Sequence, residues 1–385
     1  MTARVGIVAV AQTKYGGLQR DVRGEELADE VVQKILGETG LTWSEDGTGI
    51  DCCTIVCDEF WEGQTLSEIR YGDVTGAHMR DSLKVPQDGL QAVIYGAATL
   101  MSNHMGTMLI MGCCKESVHK SRYLLTNYGF DPIYQRILGL DYLTAAALQA
   151  NRYMHKYGIT REQCAKVVVK NRQNAKNNDY AQAPMDLTVD EVLKARMLAS
   201  PISVLDTGPV SDGACAMLLA REEIARKITD KPVWIQGLGN ARDAHNLGDR
   251  DLADCESLTV AAKKAYKMAG INNPRKEIDV VELSEEYSYQ ELLWSEGLGF
   301  CDRGEGGKLI DSGVTRMEGE LPVNPSGGLL SGVPTNVAGL SRVAEAVLQL
   351  RGEAGARQVM GAKTALAHGI SGPCGQLHSV IVLGK

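Results

Sequence analysis

The chain has 385 residues, 44% of them hydrophobic and 23% charged, with a formal net charge of −8. This length and apolar content predict a large buried core organised as two or three domains, and exclude a disordered polypeptide. The acidic balance argues against a nucleic-acid partner, which needs a basic face for phosphates, and no apolar run is long enough to span a bilayer.

The opening run Val5–Ala11, closed by Gly16-Gly17, reads as a buried strand; it is too brief for a signal-peptide core. Glu25–Leu36 follows with Leu27, Val31, Val32 and Ile35 at helical spacing. Ile50–Val56 is a second apolar strand. Gly89–Leu100 (GLQAVIYGAATL) is a helix apolar on all sides, which predicts burial between two layers. Met105–Gly112 is a strand ending at Cys113-Cys114. Residues 118–208 are more polar and carry helices at Tyr142–Tyr157 and Arg161–Asn174, as expected of an inserted cap. Pro209–Leu219 returns to a strand. The second half repeats the alternation: strand Val233–Gly237, helix Leu258–Met268, strand Ile278–Leu283, a helix near Tyr287–Glu296, a Gly- and Pro-rich loop (NPSGGLLSGVP), helix Ala338–Leu350, and a hairpin of Thr364–His368 with Gln376–Leu383. Strands alternating with helices specify an α/β layered fold, and two halves of like order suggest an internal duplication.

The ten cysteines are irregularly spaced and form no C-x-x-C pair. They predict reduced thiols in a cytoplasmic protein, with no disulfide framework and no metal site. Cys113 and Cys114 read as buried packing residues.

Five stretches, RYMHKYGITREQCAKVVVKNRQNA, SPISVLDTGPVSDGACAMLLA, IDVVELSEEYSYQELLWSEGLGF, LPVNPSGGLL and TALAHGISGPCGQLHSVIVL, have the word order and spacing of one family. In them the chain resembles the thiolase superfamily, in its sterol-carrier-protein-type branch, along nearly its whole length. The resemblance implies a five-layered α-β-α-β-α fold from two duplicated halves. The N-terminal half would comprise residues 1–117 and 209–228, the cap 118–208 and the C-terminal half 229–385. It also implies a homodimer, acyl-coenzyme A substrates, coenzyme A as co-substrate with no permanently bound cofactor, and a separate small partner of zinc-ribbon and OB-fold type (DUF35-like).

The sequence departs from this family where the family does its chemistry. The nucleophilic Cys of the word Cys-x-Ser-Gly, set before the buried helix, is replaced by Pro86 in Pro86-Gln87-Asp88-Gly89. The His of Gly-His-Pro is Val333 in Gly332-Val333-Pro334, and valine can neither accept a proton nor polarise a thioester. The word His-Asp-Cys-Phe reads Ser284-Glu285-Glu286-Tyr287, while His368 keeps the His of His-Asn-x-Gly.

Two outcomes stay open. The site is rebuilt for thiolysis of a 3-oxoacyl-CoA, with Glu285, Glu286, Tyr287, His368 and Cys374 as candidate catalytic residues; or the fold serves retro-aldol cleavage of a 3-hydroxyacyl-CoA, or mere binding. A buried carboxylate with a raised pKa serves as acid or base near neutrality, and Tyr287 or His368 is expected to hold an oxyanion. His368 and the turn around Cys374 are expected to approach the same pocket as the two glutamates. Against this, Glu285 and Glu286 could simply favour a helix N-terminus, and Tyr287 and Tyr289, two apart at a helix start, should not both face one pocket. Asp88, Gly89, Asn324, Ser326, Gly327 and Gly328 are candidate substrate-binding residues. Arg152 is another, from a basic face it shares with Lys156, Arg172 and Lys176 at helical spacings. That face could equally be solvated.

Overall fold

The computed structural model describes residues 4–44, 49–86, 88–119 and 121–385. Eleven strands are defined among them: β1 (Val5–Gln12), β2 (Cys52–Val56), β3 (Ser82–Val85), β4 (Thr107–Lys115), β5 (Met197–Ala199), β6 (Ile202–Ser203), β7 (Asp212–Arg221), β8 (Val233–Arg242), β9 (Val280–Glu282), β10 (Thr364–Ser371) and β11 (Leu377–Gly384). Apart from the small β5-β6 hairpin, they join in the order β3-β2-β4-β7-β1-β8-β11-β10-β9. Read outward from the β1–β8 junction, the two sides carry the same pattern. β1 pairs antiparallel with β7, β7 antiparallel with β4, and β4 parallel with β2; β8 pairs antiparallel with β11, β11 antiparallel with β10, and β10 parallel with β9. Even the next position matches, for β2 runs parallel with β3 and Val281 of β9 makes a parallel bridge to Val323. The halves touch at the junction through two residue pairs, Gly6–Trp234 and Ile7–Val233.

Alternation along the strands builds the layers. In β7, Ala214, Ala216, Leu218 and Ala220 face one apolar cluster that includes the helix Gly24–Thr39, while Cys215, Met217 and Leu219 face another. That second cluster holds the helices Gly89–Met101 and Ala338–Arg351, which lie between the sheets. The two helices approach closely at their N-termini: a Cβ on Gly89 would sit 2.5 Å from Leu340 Cβ. Beyond β8–β11, the helix Glu256–Ala269 lies so low that a Cβ on Gly239 would meet the Ala261 carbonyl at 2.0 Å. The result is an α/β thiolase-type layering.

Residues 118–208 add helices and the β5-β6 hairpin but no strand to the large sheet. Tyr142–Tyr157 and Arg161–Asn174 have the bounds expected from sequence, because their stop and start signals are local. The Thr144 N–H donates to Asp141 (2.7 Å), the Gln163 N–H donates to Thr160 (3.2 Å), and Gly158 takes φ 71° after the first helix. Other elements differ from expectation. β4 runs on through Cys113 and Cys114 to Lys115, β8 extends to Arg242, and the edge strand β3 has no apolar pattern to announce it, Ser82 and Leu83 being exposed. No helix among the described residues is long and apolar enough to cross a membrane.

Candidate active site

Two cavities meet at one carboxylate. The first is walled by Phe60, Trp61, Leu125 and Tyr142, with Asp58 and Ser371 among its polar groups. The second is walled by Arg122, Pro209, Leu329, Val333 and Ala338. Glu286, Thr335 and Ile370 line both. Local structure sets each wall. Asp58 accepts the Phe60 N–H (2.8 Å) and starts the short helix that presents Phe60 and Trp61. Tyr142 opens the helix Tyr142–Tyr157 and packs edge-on against Phe130 at 6.1 Å. Thr335 is fixed by Glu116, whose carboxylate accepts its N–H at 2.9 Å and its hydroxyl at 2.5 Å. Glu116, itself buried, also accepts the Ser211 N–H (3.1 Å) and pairs with Arg122.

The strand–helix junction after β9 splits the two glutamates. Glu286 turns into the cavities; its N–H donates to Gln290 (2.9 Å), and its carboxylate makes no hydrogen bond to a described residue. Burial pushes its pKa up to about 7, partly opposed by the facing charge of Arg122 and reinforced by Glu116. Glu285 turns inward and is fully buried. It accepts from Asn171 Nδ2 (3.0 Å) and Asn324 Nδ2 (2.8 Å). The same two amides bond Glu291, at 2.9 and 3.1 Å, which pairs with Lys170 at 3.0 Å. Burial, then the neighbouring Glu291, raise Glu285 to about 8. Glu285 lines neither cavity.

The loop expected to approach a ligand approaches Glu285 instead. Asn324 (φ 53°), Ser326, Gly327 and Gly328 are buried, and none lines either cavity. A Cβ on Gly328 would lie 1.9 Å from Glu285 Oε1, so the glycine there makes room for the carboxylate. Ser326 binds Glu282 through its N–H (3.0 Å) and hydroxyl (2.6 Å), and Glu282 pairs with Arg342 inside the core. Gly89 likewise faces Leu340 rather than a cavity. Asp88 caps the buried helix, accepting the Leu90 N–H (3.2 Å); it is 1% exposed, and its other oxygen has no partner. Burial lifts Asp88 to about 7.

The C-terminal hairpin does reach the cavities, but with Ile370, Ser371 and Gly372 rather than with His368 or Cys374. In β10 alternate residues share a face. His368 therefore points with Leu366 away from the central helices, where its Nε2 lies 2.9 Å from His378 Nδ1 and Trp294 stands edge-on at 6.1 Å. Burial lowers His368 to about 3, so the imidazole is neutral near pH 7. Cys374 (φ 57°) packs with Phe130 and Ala145, and burial pushes its thiol up to about 12. Tyr287 and Tyr289 stack their rings at 6.4 Å and 20°, Tyr287 preceding the helix in extended backbone (φ −134°, ψ 148°), and neither lines the two cavities. The Tyr289 hydroxyl donates to Gln149 (2.8 Å).

The basic face is spent. Arg152 is held by Asp251 through two hydrogen bonds of 3.0 Å, Lys156 by Asp251 and Asp254, and Lys176 by Asp186. Arg172 is buried and donates to the carbonyls of Ala183 and Thr207. Sequence reasoning missed Arg122, Tyr142 and Glu116, whose only signal was their place in a polar segment joining β4 to the following helix.

Residues 5–223 match the family described as "Thiolase, N-terminal domain", and residues 239–385 match "Thiolase C-terminal domain-like". The chain belongs to the thiolase family. An acetyl-CoA acetyltransferase of Methanothermobacter thermautotrophicus is 34% identical over 96% of this chain and 97% of that relative. The benzoylsuccinyl-CoA thiolase subunit BbsB of Thauera aromatica is 32% identical over 59% of this chain and 60% of its own length. Among solved structures, an Ltp2-ChsH2(DUF35) aldolase shares the fold with a TM-score of 0.84, at 23% identity, over 99% of this chain and 98% of that one. In this thiolase-family chain no cysteine is among the residues lining the cavities, and Val333 lines the second one.

Proposed function

We propose that this chain cleaves the C2–C3 bond of a 3-oxoacyl-CoA with free coenzyme A as co-substrate, and that Glu286 moves the proton. The observation that carries the reading is the Glu286 carboxylate: without a hydrogen bond to a described residue, facing both cavities, and raised to about 7. At that pKa it exists in both protonation states near neutrality, as a group that must first take and then give a proton requires. The coenzyme A thiol passes its proton to Glu286, the sulfur bonds to the C3 carbonyl carbon, and the C3=O π pair moves onto the C3 oxygen. That pair then re-forms C3=O as the C2–C3 bond breaks, the electron pair of the broken bond moves through C2 to the thioester oxygen as an enolate, and Glu286 returns the proton to C2. No enzyme thioester is formed and no cofactor is held.

The substrate we name is 2-benzoylsuccinyl-CoA, cleaved to benzoyl-CoA and succinyl-CoA in anaerobic toluene degradation in the cytoplasm. The Thauera relative's name and the aromatic walls at Phe60, Trp61 and Tyr142 support this substrate. Two partners belong to the reading. A second copy would continue the sheet at the edge strand β3, and a small zinc-ribbon/OB-fold (DUF35-like) subunit would cover the exposed apolar side chains of Leu124, Tyr128, Ile133, Tyr134, Ile137 and Leu138. The Thauera relative is itself described as a subunit.

Retro-aldol cleavage of a 3-hydroxyacyl-CoA is the second reading, favoured by the lack of a thiol in the cavity lining. Glu286 would then take the hydroxyl proton as an aldehyde or ketone leaves. Chromatography of the thioesters formed from 2-benzoylsuccinyl-CoA, with and without free coenzyme A, separates the cases. Two new thioesters that require free coenzyme A establish thiolysis. No coenzyme A consumption, with cleavage of a 3-hydroxyacyl-CoA, establishes the aldol reaction, and no cleavage of either leaves a binding subunit.

A further inference from the structure

We propose that Arg122 is the oxyanion-holding group of this site, its guanidinium taking the charge that develops on the thioester carbonyl oxygen as the neighbouring carbon is left with an electron pair. The proposal rests on the reading of Glu286 above and names the electrophile that reading needs. Both readings of the reaction pass through a thioester enolate. The oxygen of that enolate must be stabilised in a site that excludes water, and one donor of this kind contributes about 10²–10³ in rate. The imidazoles that the family supplies are Ser284 and Val333 here. Ser284 donates its hydroxyl to the His368 carbonyl (2.8 Å) and is buried, so it is committed elsewhere.

Arg122 lines the second cavity together with Glu286 and Val333. Its Nη2 is tied to Glu116, and its side chain makes no other hydrogen bond to a described residue. An unpaired guanidinium N–H in a buried setting is costly unless something accepts from it. Other donors at this cavity are occupied: the Thr335 N–H and hydroxyl are given to Glu116, and the Gly208 N–H to the Glu286 carbonyl (3.4 Å). The remaining walls, Pro209, Leu329, Val333, Ala338 and Ile370, have no side-chain donor. Glu116 holds Arg122 rigidly, because its carboxylate is also bonded to Ser211 and Thr335 on two other segments. Preorganised, charged and with donors left over from its bond to Glu116, Arg122 has the properties an oxyanion hole requires.

The enolising half-reaction isolates this role without knowledge of the acyl group. Glu286 takes a C2 proton of propionyl-CoA, the C2–H electron pair moves onto the thioester oxygen beside Arg122, and a deuteron from the solvent returns to C2. Mass spectrometry of propionyl-CoA incubated with the full chain in D2O reads the exchange. Wild type should exchange, and Arg122→Lys, which keeps the charge and the pairing with Glu116 but lacks the planar guanidinium and its further N–H donors, should lose at least about 100-fold in the maximal rate with little change in KM. Arg122→Ala should recover at least about tenfold on addition of guanidinium. If Arg122→Lys and Arg122→Ala exchange like wild type while Glu286→Gln does not, the proposal fails and the reading of Glu286 stands. A loss in the Arg122 variants that tracks a lowered melting temperature, or that guanidinium does not restore, makes Arg122 structural and also overturns it. No exchange by wild type defeats the reading and this proposal together.

Discussion

Asp88 and Gly369 fit against each other at the N-terminus of the first central helix: a Cβ on residue 369 would stand 2.3 Å from Asp88 Oδ2. Gly339 makes the same room on the other side, with a Cβ position 2.0 Å from Oδ1. The two glycines neighbour Ile370 and Ala338, which line the second cavity. A buried acid therefore caps this helix two residues after Pro86, with one oxygen unpartnered among the described residues.

The pKa of Asp88 makes stability depend on pH. An unfolded aspartate ionises near 3.8, whereas burial holds Asp88 to about 7. Below the lower value both states carry the proton. Between the two, only the folded state retains it, so folding stability falls as pH rises through that window, by at most about 4 kcal/mol. Asp88→Asn should remove this slope. Chemical unfolding at pH 5 and pH 8 should show the variant gaining on wild type at the higher pH; equal differences at both would refute the buried acid.

Gly328→Ala should destabilise the fold by more than about 2 kcal/mol. Gly328 has φ 63°, and the added methyl would collide with Glu285, which the two asparagines hold in place. Thermal melting of the variant, with and without Glu285→Ala to open space, checks the cause. Partial recovery in the double variant is expected.

Cys374→Ala should keep cleavage activity within about threefold of wild type, since a buried thiol pushed up to about 12 carries almost no thiolate near neutrality. Iodoacetamide at pH 7.5 should leave Cys374 unmodified in the folded chain, as peptide mass mapping would show.

Much of the fold is legible in the sequence because its signals are local. Asp141, Thr160 and Gly158 announce the ends of the helices they cap, and the period-two pattern of β7 sorts its residues between two layers. The site is less legible, since its geometry depends on which way a side chain turns at a junction. Glu285 and Glu286 are adjacent in sequence, yet one enters a buried amide network and the other a cavity. His368 keeps the family's residue, but strand alternation aims it at His378 and Trp294. Arg122 and Glu116 lie six residues apart, with no motif to mark them, and acquire meaning when the chain folds Thr335 and Ser211 against Glu116. Arg152 shows a partner that helical spacing could not announce: a segment 99 residues away supplies Asp251 to pair with it.

The pH dependence of catalysis should report Glu286. As the base it must be ionised, so kcat/KM should rise with pH through an apparent pKa of about 7. Because Arg122 holds that pKa down, Arg122→Gln should move the rise to higher pH in whatever activity remains.

The most direct test of the account is Glu286→Gln, assayed for cleavage of 2-benzoylsuccinyl-CoA and of a matching 3-hydroxyacyl-CoA beside its melting temperature. The account predicts a loss of about 10²–10⁴ in turnover on the substrate that wild type cleaves, with melting unchanged or raised. Turnover equal to wild type in the folded variant would contradict it.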